Sequence, residues 1–180
     1  MAFQEKFGEY VGELMDRFPG EISGVWMDSP SESGAAAGSN GPSTRGHVRF
    51  TGEVPDGIDP VNKVFLIGGG EIALLDHYRR ADAATSALVG RGYQNFITFY
   101  APGDNVLQIE ILLPEGAPEP AKSTIVDAVQ ESVKSDQDLR GRAATVNADD
   151  LALTVMRGSG PIVSDQHSRG GNWLREDGAR

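Results

Sequence analysis

Between Lys63 and Arg157 the apolar residues keep switching between a period of two and a period of three to four. That alternation constrains the fold more than any other feature. "KVFLI" is a short β-branched and aromatic run, followed by three glycines. "EIALLDHYRRADAATSALV" then puts Leu74, Tyr78, Ala81, Thr85 and Leu88 on one helical face, and Gly90 and Gly92 stop it. "NFITFYAP" and "NVLQIEILLP" read as strands joined by a turn at Gly103-Asp104. In the second, Leu107, Ile109, Ile111 and Leu113 face one way, Gln108 and Glu110 the other. A proline-rich turn leads to a helix from Pro120 to Lys134 with Ile125, Val129 and Val133 aligned, and "DLALTVMR" is another strand. The order β-α-β-β-α-β is the ferredoxin-like arrangement. It predicts an α+β two-layer sandwich over residues 63–157, with two helices on one face of a single antiparallel sheet.

An α-β-β unit precedes this core. Phe3, Phe7, Tyr10, Leu14 and Phe18 form a helical stripe that ends at Pro19-Gly20. "EISGVWMD" reads as a strand, with Trp26 expected in the core beside Val25 and Met27. In "HVRFTGEV", Val48 and Phe50 alternate with polar neighbours as in a half-buried strand. The Ser/Gly/Pro/Ala-rich stretch 29–46 between them has no period and reads as a flexible loop, the tip of a hairpin if the two strands pair. The expected organisation is residues 1–60 as helix plus hairpin, 61–157 as the core and 158–180 as an extended tail. No internal repeat stands out.

Charge and motifs narrow the chemistry. A net charge of −10 argues against nucleic acid as a partner, which needs a basic footprint. Arg79 with Arg80, and Arg140 with Arg142, sit among acids and read as solvated surface, as do Asp149 and Asp150. The absence of cysteine removes disulfides and thiolate metal sites. No run approaches the roughly 18 apolar residues of a membrane span, so no membrane partner is expected. "MAFQEKFGEY" carries acids and no apolar segment, unlike a signal peptide. Secretion is expected if the parent protein carries a signal, and a cytoplasmic location otherwise.

"IGGGEIALLDH" is the one loop that invites a ligand, because Gly68, Gly69 and Gly70 before a helix can bare backbone N–H groups to a phosphate. Its spacing matches neither G-x-G-x-x-G nor a P-loop, and Glu71 occupies the phosphate's place. A tight strand-to-helix turn is the expectation, with no cofactor. His47, His77 and His167 lack metal-ligand spacing, so no metal is expected, and His77 reads as a surface or boundary residue. There is no G-x-S-x-G elbow. The chain reads as non-enzymatic, with a hydrolase built from dispersed Ser, His and Asp left open as a minor reading.

The tail "RGGNWLREDGAR" carries a Trp and a Leu with no apolar period around them, a liability unless a partner buries them. This tail resembles the opening residues of the catalytic domain in secreted bacterial chymotrypsin-like serine proteases of the streptogrisin and alpha-lytic type, where a Gly-Gly lies near the mature N-terminus. The chain stops at Arg180, where the first cysteine segment of such a domain would begin. "YVGELMDRFPGEISGVWMD" and "GHVRFTGEVPDGI" look like the N-terminal region of those precursors, and the remainder is similar to their compact α/β pro-regions, although the 29–46 loop is long for one. The resemblance implies a non-catalytic pro-region of a zymogen, which assists folding of the protease and inhibits it, with the serine protease domain as partner in cis. It implies that Ile162, Val163, Ser164, Asp165, Gln166, His167 and Ser168 enter the cleft or flank a cleavage point, and that Gly170, Gly171, Trp173 and Leu174 are like a mature N-terminus. Pro161 sets extended geometry before them. The alternative is a stand-alone ferredoxin-like domain that binds a small ligand or another protein, with a pocket near Gly68–Glu71, a self-dimer through an exposed sheet edge, or both.

Overall fold

The computed structural model describes residues 2–28, 44–103 and 105–159. The protein is α+β, with three α-helices and two three-stranded sheets among the described residues. The chain divides into two compact units between Leu74 and Leu75.

In the first unit, α1 (Phe3–Arg17) is followed by β1 (Ile22–Asp28), β2 (Arg45–Thr51) and β3 (Val64–Gly70). The sheet order is β1-β2-β3. The stripe on α1 buries Phe7, Val11 and Leu14. It packs on the face of β2 that presents Gly46, where the Phe7 ring lies against the backbone. Val25 opposite Val48, together with Phe50, completes this core, and Phe18 meets Phe50 edge to face at 6.0 Å. β1 and β2 are antiparallel, as a hairpin requires. The expected loop stretch 29–46 contributes Arg45 and Gly46 to β2, and its residues 29–43 lie outside the described residues.

β3 runs parallel to β2, with Gly46 opposite Val64 and Val48 opposite Leu66. Parallel neighbours need a crossover of about a dozen residues or more, and residues 52–63 supply it without a helix.

The second unit contains α2 (Leu74–Gly90), β4 (Phe96–Ala101), β5 (Val106–Leu113), α3 (Lys122–Ser135) and β6 (Leu151–Arg157). Two 3-10 turns, Gly141–Ala144 and Ala148–Asp150, lie between α3 and β6. β4 and β5 are antiparallel, and β6 runs parallel to β5. The alternation of β5 is realised as expected: Leu107, Ile109, Ile111 and Leu113 are buried. Thr98 of β4 lies on the same face and ties it to α2, through Thr85 Oγ1 at 2.6 Å and the Ala81 carbonyl at 3.2 Å. α3 buries Ile125, Val126, Ala128, Val129 and Val133.

The expected ferredoxin-like sheet is therefore not the observed pairing. That topology needs the strand after residue 63 to sit between the third and last strands of the core. Instead β3 pairs with β2, and β5 pairs directly with β6, Leu107 opposite Leu151. The chain contains a repeat that the residues do not display. Each unit is a helix, an antiparallel hairpin, a crossover and a third strand parallel to the second.

Candidate functional site

The outer face of the first sheet carries the most distinctive chemistry among the described residues. Strand alternation that turns Val25 and Val48 to the core turns Trp26 and His47 away from it. Trp26, His47 and Phe65 are register partners across the three strands. Their rings stack as a ladder, Trp26 on His47 at 4.9 Å and His47 on Phe65 at 5.3 Å. These separations follow the spacing of strands in a sheet, about 4.8 Å. Arg49 lies 5.4 Å from the Trp26 ring and Arg45 lies 5.9 Å from the Phe65 ring, both in cation–π range.

His47 is fixed in the middle of this ladder. Its Nε2 is 3.0 Å from Asp28 Oδ2. An ionised carboxylate only accepts, so Nε2 carries the proton and donates. Nδ1 is buried with no hydrogen-bond partner among the described residues. Trp26 is thus half-buried on the outer face, which corrects its expected place in the core.

The three glycines do not form a strand-to-helix turn. They are the last residues of β3. Gly69 N donates to the Gly52 carbonyl at 2.5 Å, and Gly52 N donates to the Gly70 carbonyl at 3.0 Å. A Cβ on Gly68 would stand 2.7 Å from the Gly52 oxygen, and one on Gly70 2.8 Å from the Phe50 oxygen. Gly68 makes room for the Gly52 carbonyl, Gly70 makes room for the Ser23 side chain and the Phe50 carbonyl, and Gly69 takes a positive φ of 87°.

A second polar cluster lies in the second unit. Arg80 is buried, and its Nη2 donates to the Thr145 carbonyl at 2.7 Å and lies 3.8 Å from Asp150 Oδ2. Arg142 grips the same carboxylate with two nitrogens, and Asn147 N donates to it at 2.8 Å. Burial pushes the Asp150 carboxyl up, but the Arg142 and Asn147 hydrogen bonds and the charges of Arg142 and Arg80 hold it below the usual carboxylate range. Gln130 reinforces the same segment, accepting from Val146 N at 2.6 Å and donating to the Ala144 carbonyl at 3.1 Å.

Two expectations of solvated surface are corrected here, because Arg80 is buried and the Asp150 side chain is 13% exposed. His77 is also buried rather than at the surface, stacked on Tyr100 at 3.8 Å. These groups clamp the connection between α3 and β6 onto α2, and their geometry is that of a structural ion cluster. Among the described residues no group of three or more His, Asp or Glu is placed to hold a metal ion. No helix among them is long and apolar enough to cross a membrane.

The tail candidates Ile162, Val163, Ser164, Asp165, Gln166, His167, Ser168, Gly170, Gly171, Trp173 and Leu174 all lie outside the described residues. What precedes them is defined. Among the described residues β6 is an edge strand, with β5 on one side, and it precedes the tail candidates in sequence. Arg157 closes β6, donating to the Pro114 carbonyl at 3.2 Å.

Neither a family model nor a curated protein matches the chain.

Proposed function

We propose that this chain is a non-catalytic pro-region, or retained N-terminal module, of a secreted serine protease, which assists folding of the protease domain and inhibits it. The observation that carries this reading is the position of β6. An open sheet edge can pair with a strand of a partner, and the same strand feeds the segment that resembles a protease N-terminus. The residues between Gly158 and the 164–170 stretch reach roughly 20–40 Å when extended. That is enough for one molecule to dock by the β6 edge while its tail lies in the active-site cleft like a substrate.

The physical benefit is specific to such a partner. β-barrel proteases are rich in non-local contacts and fold slowly. A module that binds the folded form stabilises it by mass action, and one that occupies the cleft blocks substrate at the same time.

Refolding tests the reading. A denatured cognate catalytic domain is diluted from guanidinium with and without a molar equivalent of this chain, and recovered peptidase activity is measured after the chain is digested. Recovery that requires the chain supports the pro-region. Equal recovery in both tubes removes it.

A second reading, a binding module in its own right, is favoured by the Trp26–His47–Phe65 ladder, which belongs to the first unit and takes no part in the β6 argument.

A further inference from the structure

The other edge of interest is β3, which among the described residues pairs only with β2. Gly46 N donates to the Lys63 carbonyl at 2.8 Å, so strand alternation turns the Val64 carbonyl and both backbone groups of Leu66 toward the open side. On the outer face of this edge Phe65 ends the aromatic ladder and is 47% exposed. Beside the start of the strand a cavity of about 400 Å³ lies between Phe3, Lys6 and Phe7 of α1 and residues 61–64. Val61, on its rim, is 41% exposed. Three cations gather here, Lys6 and Lys63 lining the cavity and Arg45 beside Phe65, in a chain whose net charge is −10.

We infer that the open edge of β3 is a docking site for an extended acidic segment of a partner protein, which adds to the sheet as a fourth strand. A strand presents alternate side chains to opposite faces. An apolar or aromatic residue on one face continues the ladder over Phe65, one strand spacing on. Its neighbour in sequence turns toward the apolar walls of Phe3 and Phe7. Carboxylates flanking this pair meet Lys6, Lys63 and Arg45. Main-chain bonds supply affinity and the side-chain pockets supply selectivity. A second copy of this chain fits poorly, because a two-fold pairing along β3 would bring the same cations face to face. The inference goes beyond the pro-region reading and does not depend on it, since it concerns β3 of the first unit rather than β6.

The test uses the full chain and a fluorescein-labelled peptide, Glu-Asp-Thr-Phe-Val-Thr-Asp-Glu, followed by anisotropy. Saturable binding is expected. Phe65→Thr, Lys6→Glu and Leu66→Pro should each weaken it by about fivefold or more, as should replacing the peptide's four acids with lysine. Lys6 is exposed on α1, so Lys6→Glu leaves the fold intact and keeps the test decisive if a strand variant fails to fold. Leu66→Pro deletes an edge donor without touching the ladder to β2. The inference is overturned by no saturation at about 1 mM peptide, by equal binding of all variants, or by equal binding of the lysine peptide. It is equally overturned if light scattering shows a dimer that excludes the peptide and that Phe65→Thr dissolves, which would make a second copy the occupant.

Discussion

The ring of Phe7 fills the space a side chain at Gly46 would need: a Cβ there would stand 2.6 Å from Phe7 Cδ2. This contact seats α1 on β2, so Gly46→Ala forces either the ring or the strand to move. The expected cost is about 1–3 kcal/mol, as for other overpacked cores. Urea unfolding should show a lower midpoint with little change in slope. Adding Phe7→Leu to Gly46→Ala should recover part of the loss, because it removes the clashing edge.

The two arginines on Asp150 should differ in weight. Arg80 has a side chain only 3% exposed, whereas that of Arg142 is 38% exposed. Arg80→Ala removes one donor from the Thr145 carbonyl and a charge partner from the nearly buried Asp150 carboxylate, and should cost about 3 kcal/mol. Arg142→Ala should cost about 1 kcal/mol, since solvent screens an outer pair. Equal losses on denaturation would mean that the cluster is not arranged as described.

Asp150 also makes stability depend on pH. Its folded pKa lies below its unfolded value, so its contribution is full above about pH 4 and is lost as pH falls through the folded pKa. The difference in stability between wild type and Asp150→Asn should be largest near neutrality and should shrink below about pH 4. A constant difference from about pH 7 to about pH 3 would contradict the assigned pairing.

The elements were legible in the sequence, and their partners were not. Period alone located α1, α3 and all six strands to within a few residues, because each buries one face. It could not say which strand lies beside which. The segment "KVFLI" suits either sheet by composition, and what places it next to β2 is close approach at its glycines: Gly70 against Ser23 and Phe50, and Gly68 against Gly52. Those glycines look like a ligand loop from sequence because bare backbone serves both purposes. The repeat between the units was hidden because the first crossover is a loop and the second contains α3.

The aromatic ladder was half legible. Val48 and Phe50 facing the core already put His47 and Arg49 outside. The parity of Trp26 needed the register of β1, which the long connection between the hairpin strands leaves undetermined. Val25 opposite Val48 settles it, and with it Trp26 opposite His47. Arg80 and Asp150 were missed for another reason. Seventy residues separate them in sequence, and charged residues among other charged residues give no sign that they will be buried together.

Inhibition of a protease by this chain tests the pro-region reading most directly. The full chain and a form ending at Gly158 are titrated into the cognate chymotrypsin-like catalytic domain, with hydrolysis of a small peptide substrate as readout. The account predicts inhibition by the full chain that weakens by about a hundredfold on truncation, because the tail and the β6 edge act as linked sites. No inhibition by either form, with both digested at the rate of an unrelated protein, would contradict it.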